Sequence, residues 1–191
     1  MYKRRKLAQD KIIVIPHDWE QRKLGDAINS LESGVSVNSG EEDTGYYILK
    51  TSAIELGHVD LTEVKSIVRE EILRAKTPLK KGCILISRMN TPALVGASGL
   101  NTETRANVFL PDRLWQGAVA SHFNQEWLIS VLNTPRNIKQ IQSLGTGTSG
   151  SMKNISKDSM LNVAFAVPSL EEQKAIGKFM EFLENTIALH H

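Results

Sequence analysis

The chain of 191 residues contains 41% hydrophobic and 23% charged residues, values that are typical of a folded globular domain and that exclude a fibre or a disordered polypeptide. Its 23 Lys and Arg residues and 21 Asp and Glu residues leave a formal net charge of +2, which supports a nucleic-acid partner only weakly. Cys83 is the single cysteine and lies in an apolar run, so we expect no disulfide and a cytoplasmic location. No apolar run approaches the ~18 residues that a membrane span needs, so no membrane partner is expected.

Short β-branched or apolar runs separated by turn residues dominate the first two thirds of the chain. They predict strands at Ile12–Ile15, Tyr46–Leu49, Cys83–Ser87, Ala93–Ala97, Ala106–Leu110 and Gln116–Val119. A short helix is expected near Leu24–Ile28, and the Gly- and Ser-rich stretch Ser33–Gly45 predicts a loop. Glu63–Ala75 has both strand-like and helix-like features, and both interpretations stay open.

After Asn124 the apolar spacing changes from that of strands to that of helices. Two short helices are predicted on either side of Pro135, because proline is tolerated in the first turn of a helix and disrupts its interior. The second helix should carry Arg136 and Lys139 on its polar face. A turn over Ser156–Leu161 and an apolar strand over Val163–Val167 are expected to follow.

The final helix has a clear start signal, since Ser169 and Glu172 have the spacing of a capping box. Apolar residues then recur at i, i+3, i+4, i+7 and i+11, namely Ile176, Phe179, Met180, Leu183 and Ile187. This stripe either docks on the core of the same domain or forms a seam for a second helix, as in a coiled coil.

Residues 144–156 read LGTGTSGSMKNIS, and Gly145 to Gly150 match the G-x-G-x-x-G spacing of a dinucleotide site. Such a site needs a strand before the first glycine and a helix after the last, because the pyrophosphate binds at the N-terminus of that helix. Here the glycines follow a predicted helix, and no helix is expected to start at Gly150. We therefore expect no nucleotide cofactor.

The same stretch carries hydroxyls, an amide and one cation on a backbone rich in small residues. These groups suit phosphate oxygens and base edges, and glycines let a backbone approach a duplex closely. On chemistry alone, an ordinary surface loop is an equal alternative. The five histidines form no spaced pair that resembles a metal site apart from the terminal His190-His191, and the scattered carboxylates define no acid/base pair. We expect no metal and no catalytic activity.

Five stretches are, in this order, similar to the specificity (S) subunits of type I restriction-modification systems. They are Trp19–Asp26, Leu49–Ile54 with Gly57–Leu61, Leu79–Arg88, Asn154–Ser156 and Val167–Gln173. The third looks like the "LKKGDIL-S-R" strand of the family, with Cys83 where an acid is usual, the fourth resembles its "PNIS" element and the fifth its "PLEEQ" helix start. Met152-Lys153 in place of a Gln/Pro pair, and Asn90 to Gly96, depart from the family pattern.

The resemblance implies a mixed α/β (α+β) fold, in which a β-rich target recognition domain with short helices spans residues 1–168. Residues 169–191 would begin the conserved amphipathic helix that acts as spacer and dimerisation element. The family implies a non-catalytic subunit without cofactors that reads double-stranded DNA for a separate methyltransferase (M) subunit and a separate restriction (R) subunit. A complete S subunit usually has two such halves and reads a bipartite site. This chain corresponds to one half, either a half-length subunit that pairs with another copy through the apolar stripe or a truncated piece.

The family match and the position of polar residues at strand ends and in loops together predict the DNA contacts. The predicted residues are Lys50, Thr51, Ser52, Arg88, Asn90, Thr91, Thr146, Thr148, Ser149, Lys153 and Asn154. Two other hypotheses stay open. One is an assembly module of such a complex that has no DNA-reading ability of its own, and the other is a small nucleotide-dependent enzyme.

Overall fold

The computed structural model of the chain describes residues 2–5, 13–16, 18–147 and 151–188. In these residues the strands are β1 (Tyr2–Arg5), β2 (Ile13–Pro16), β3 (Glu20–Lys23), β4 (Ile28–Ser33), β5 (Ser39–Gly40), β6 (Tyr47–Leu49), β7 (Val64–Ile67), β8 (Pro78–Leu79), β9 (Cys83–Ser87), β10 (Met89–Asn90), β11 (Ser98–Leu100), β12 (Arg105–Phe109), β13 (Leu114–Val119), β14 (Lys153–Asn154) and β15 (Ala164–Val167). The helices are α1 (Leu24–Ala27), α2 (Gln125–Leu132), α3 (Pro135–Ser143), α4 (Lys157–Leu161) and α5 (Leu170–Ala188), and the 3-10 turns are Thr51–Ala53 and Arg69–Arg74. The predicted mixed α/β fold is confirmed.

Strand β9 lies in the interior of the fold. It pairs with β11 on one side and with β13 on the other, in a four-stranded sheet of order β11-β9-β13-β4. All five of its residues are buried, which explains why its sequence is a continuous apolar run and not an alternating one. Ile84 and Ile86 belong to one hydrophobic cluster and Leu85 to another, so the two faces of this sheet cover different cores.

One face of the four-stranded sheet packs against a second sheet. This five-stranded sheet has the order β5-β7-β6-β12-β8, with β6 and β12 parallel and the other pairs antiparallel. Leu85 and Leu114 from the first sheet meet Leu49 and Val108 from the second in the shared core. Buried Gln116 is satisfied there, because it accepts a hydrogen bond from the Lys80 amide at 3.0 Å and donates to a carbonyl.

The opposite face of the four-stranded sheet is covered by helices. Trp115 and Ile86 pack there with Trp127 and Leu132 of α2 and with Ile141 of α3. The asparagine before α2 and the threonine before α3 each accept a hydrogen bond from the first helical turn, and Pro135 is the first residue of α3. The predicted pair of helices around this proline is therefore confirmed, and two sheets and a helical layer enclose the two cores.

Helix α5 begins as the sequence predicts. The Ser169 amide donates to the Glu172 carboxylate at 3.0 Å and the Glu172 amide donates to the Ser169 hydroxyl at 3.3 Å, which is the reciprocal capping box. The Ser169 hydroxyl also donates to the Glu172 carboxylate at 2.9 Å, and this bond, followed by that from the Ser169 amide, lowers the pKa of Glu172. The division into two domains at residue 168 stays a prediction.

Two expected elements are wrong. Residues Ala93–Ala97 do not form a strand, because the Thr91 carbonyl accepts bonds from the amides of Leu94 and Val95 and closes a turn that Gly96 completes at φ +79°. Their apolar character serves the core instead, where Val95 is buried. The predicted turn at Ser156–Leu161 is largely helix α4, capped by the Ser156 side chain. Within the described residues, no helix combines the length and the apolarity that crossing a membrane requires.

Candidate nucleic-acid interface

Two segments that are far apart in the sequence meet at one end of the four-stranded sheet. Strand β10, which follows β9 directly, pairs antiparallel with β14, so that Met89 faces Asn154 and Asn90 faces Lys153. The Ile155 amide also donates to the Arg88 carbonyl at 2.9 Å. This pairing brings together Arg88, Asn90, Lys153 and Asn154, which the sequence predicted as DNA contacts from two separate motifs.

Thr146 and Gly147, at the start of the glycine-rich stretch, lie beside the same arrangement. Thr146 and Asn154 exchange backbone hydrogen bonds of 2.9 and 2.8 Å, and the exposed Thr146 side chain donates to the Asn154 carbonyl at 3.1 Å. The Lys153 ammonium donates to the Gly147 carbonyl at 3.0 Å. Gly147 has φ +145°, and an added Cβ would lie 2.8 Å from the Met152 carbonyl oxygen. The paired segments Thr146–Gly147 and Met152–Asn154, called the hairpin below, therefore require this glycine.

Of the other predicted DNA contacts, two lie outside the described residues and two lie at the turn after β9. Thr148 and Ser149 lie outside the described residues. The Asn90 amide nitrogen donates to the Ser87 hydroxyl at 3.1 Å, and its oxygen accepts from the Thr91 amide at 2.8 Å. Asn90 thus holds the turn after β9, whereas the Thr91 side chain is exposed.

The turn after β9 is fixed from several sides. Gln142 of α3 donates to the Ala93 carbonyl at 2.7 Å, and the Gly96 amide donates to the Ser87 carbonyl at 2.7 Å. At the tip of this turn Leu94 is 42% exposed, although it is a large apolar residue. The turn therefore presents polar and apolar groups to solvent from a rigid support, as a surface that reads base edges requires.

Arg88 is anchored rather than free. Its guanidinium carbon lies 5.9 Å from the ring centroid of Trp115, within the range of a cation–π contact. The Arg88 Nε and the Asn154 Oδ1 are both buried and have no hydrogen-bond partner within the described residues. Trp115 was missed from the sequence, where the strand was expected to start one residue later.

Lys50, Thr51 and Ser52 lie at the end of β6, in the second sheet. The Lys50 ammonium is 3.3 Å from the Glu63 carboxylate, and the Ser52 hydroxyl donates to the same carboxylate at 2.8 Å. These contacts lower the pKa of Glu63, the hydrogen bond from Ser52 most and that from Lys50 next. Within the described part of the chain, no hydrogen bond or ion pair links these three residues to the hairpin site.

The apolar stripe of α5 divides into a docked part and an exposed part. Ile176 packs against the helical core, and Gly177 approaches α2 so closely that an added Cβ would lie 2.5 Å from the Asn124 side-chain oxygen. Phe179 is 60% exposed and Leu183 is 37% exposed, as is Phe182 at 64%, which the sequence pattern missed. Met180 is partly buried, and the side chain of Ile187 lies outside the described residues.

A separate groove of about 620 Å³ lies on the second sheet, along Tyr47, Val64 and Val108. Arg105 lines this groove and is already engaged, since it contacts Glu103 at 2.9 Å and donates to the Leu61 carbonyl at 3.1 Å. Across the described ranges, no group of three or more His, Cys, Asp or Glu side chains is arranged to hold a metal ion. The hairpin end of the four-stranded sheet is therefore the better candidate for a functional surface.

The fold is that of a mixed α/β domain with a C-terminal helix. The "Type I restriction modification DNA specificity domain" family model matches residues 16–191, and the chain belongs to this family. The family resemblance noted from the sequence motifs is thereby confirmed.

Among curated relatives, the chain is 26% identical to the putative type I restriction enzyme MjaX specificity subunit of Methanocaldococcus jannaschii, over 97% of this chain and 44% of the relative. It is 22% identical to the type I restriction enzyme EcoEI specificity subunit of Escherichia coli, over 92% of this chain and 30% of the relative. The chain thus spans less than half the length of these specificity subunits.

The solved structures show the same fold at low sequence identity. A structure from work on complex assembly and conformational transition of the type I R-M system matches with a TM-score of 0.61 and 18% identity, over 92% of this chain and 40% of that one. The crystal structure of a type I restriction-modification S subunit from M. genitalium matches with a TM-score of 0.57, over 90% of this chain and 41% of that one.

Proposed function

We propose that this chain is a non-catalytic, sequence-reading DNA-binding unit of a type I restriction-modification complex. Its proposed recognition surface consists of the turn after β9 and the hairpin, which the pairing of β10 with β14 holds together. The observation that carries the proposal is the β10–β14 pairing. It gathers Arg88, Thr91, Thr146 and Lys153 at one end of the four-stranded sheet.

The chemistry of this surface fits a duplex. A partly exposed ammonium and a guanidinium provide charge for phosphates, and hydroxyls and an amide provide adaptable hydrogen bonds for base edges. Leu94 adds an apolar group of the kind that contacts the thymine methyl. A second predicted DNA-contacting patch consists of Lys50, Thr51 and Ser52. To bind DNA, Lys50 and Ser52 must give up their contacts with the Glu63 carboxylate.

The proposed protein partners are those expected for the family to which the chain belongs. We propose that the chain directs a methyltransferase subunit and a restriction subunit to a bipartite DNA site, and that two copies associate through α5. The exposed side chains of Phe179, Phe182 and Leu183 support such an association, because large apolar residues grouped on one helix are costly to leave in water.

The alternative is an assembly module that binds its protein partners and does not read DNA. The same exposed face of α5 favours it, since this face serves a protein contact with or without a DNA-reading surface. A DNA-binding assay of the chain assembled with its cognate methyltransferase subunit separates the two. Lys153→Ala should weaken binding by about tenfold, the value of one charge-assisted hydrogen bond, while Lys65→Ala, at an exposed position of β7, should leave it unchanged. Equal binding by both variants and the unaltered chain would contradict the proposed surface.

A further inference from the structure

Two arginines face each other across β9 and β13, at the end of the four-stranded sheet where β10 begins. In the β9–β13 ladder Leu114 is the partner of Ser87, so the preceding Arg113 lies opposite Arg88. A hydrogen bond of 3.0 Å from the Arg88 amide to the Arg113 carbonyl extends the ladder to this pair. Arg113 is exposed and lies in the turn that the sequence marks only by Pro111-Asp112.

Neither arginine is neutralised within the described residues. The ion pairs found there involve other cations, and Asp112, the acid next to Arg113 in the chain, forms no ion pair with either guanidinium. Like charges that face each other across a ladder destabilise a sheet. For Arg88 the Trp115 ring offsets part of this cost, but Arg113 gains nothing from that ring.

We propose that Arg88 and Arg113 form a clamp for one phosphate of the DNA backbone, and that Arg113 is a DNA contact that the sequence motifs do not reveal. The proposal rests on the proposed DNA-binding function. Arg88 is the fixed arm, since Trp115 and the backbone bonds to β13 and Ile155 hold it. Arg113 is the exposed arm that closes on the ligand.

The charge arrangement favours a phosphate over a base edge. A guanine edge is neutral and is read by one bidentate arginine, whereas two guanidinium groups without a carboxylate between them need a full negative charge. The turn after β9 and the hairpin begin next to this pair, because Met89 pairs with Asn154 directly after Arg88. The clamp therefore fixes the backbone of the strand whose bases lie beside these loops, and contributes affinity without sequence preference.

The test measures how DNA affinity depends on salt. The chain is assembled with its cognate methyltransferase subunit, and the binding constants for a cognate and an unrelated duplex are measured between about 50 and 200 mM salt. Arg113→Gln should weaken binding to both duplexes by the same factor, about tenfold, and reduce the slope of log K against log salt by about 0.9. Arg113→Lys should keep most of the slope. The matched control is Arg74→Gln, an exposed arginine paired with Glu71 outside the site, which should change neither quantity.

The outcomes separate the clamp from the function on which it rests. If the unaltered complex prefers its cognate duplex but Arg113→Gln behaves like Arg74→Gln, the clamp is wrong and the proposed function stands. If Arg113→Gln weakens only the cognate duplex, Arg113 reads a base and the phosphate assignment is wrong. If the unaltered complex binds both duplexes equally or not at all, the proposed function fails as well.

Discussion

The turn that follows β9 depends on Gly96, and replacing this residue is the sharpest test of how the recognition surface is supported. Gly96 has φ +79°, and a Cβ added there would lie 2.1 Å from the Ile141 Cγ2. Gly96→Ala should therefore cost about 1–2 kcal/mol for the left-handed backbone and about 1–3 kcal/mol for overpacking. The total of about 2–5 kcal/mol is a large part of the ~5–15 kcal/mol by which a domain is stable.

The matched control for this substitution is Gly45→Ala. Gly45 has φ +74°, but nothing lies within 4 Å of an added Cβ, so only the backbone term of about 1–2 kcal/mol applies. Urea unfolding of both variants measures the free energy of unfolding, and the difference between them gives the overpacking at Ile141. Adding Ile141→Ala to Gly96→Ala removes the clash, so the double variant should lose less stability than the two single losses added together. If the two glycine variants lose equal stability, the turn does not pack on α3 as described.

Three further predictions concern other parts of the molecule. Gln173→Leu should lower the free energy of unfolding by about 2 kcal/mol in urea titrations, because it removes the buried side-chain oxygen that accepts from the partly buried Asn124 backbone amide. The pKa of Glu63 lies below its ordinary value, so its carboxylate contributes to stability at neutral pH. This contribution is lost as the pH falls through the unfolded pKa of about 4.3 towards the folded value. Glu63→Gln should therefore lower the unfolding midpoint at pH 7 but not under strongly acidic conditions. If two copies associate through α5 as proposed, Phe179→Ser combined with Phe182→Ser should shift the distribution in sedimentation velocity from dimer to monomer, and an unchanged distribution would remove α5 as the contact between copies.

Elements whose local signal and tertiary role agree could be predicted from the sequence. Strand β9 is a buried apolar run, the Pro135 break separates two capped helices, and the capping box starts α5. The predicted strand at Ala93–Ala97 is wrong because an apolar run indicates burial and does not by itself indicate an extended backbone. Here Val95 reaches the core from a turn, a geometry that depends on the positive φ of Gly96.

The site was predictable only in part, for a similar reason. The motifs around Arg88 and Lys153 were recognisable in the sequence, but the antiparallel pairing that joins them is a long-range contact with no local signal. Arg113 has no local signal, because its proposed role depends on the residue opposite it in the ladder. The apolar stripe of α5 has a docked part and an exposed part because Gly177 lets one face of the helix approach α2. Helical periodicity alone does not reveal this close approach.

We propose above that the β10–β14 surface reads a DNA sequence for a methyltransferase. The most direct measurement is to assemble the chain with its cognate methyltransferase subunit and to map every methylated position in a random-sequence DNA library. We predict methylation confined to one defined site, and a marked loss of that preference when Thr91, Thr146 and Lys153 are all replaced by alanine. Methylation without sequence preference by the unaltered complex, or an identical site for the triple variant, would contradict a sequence-reading role for this surface.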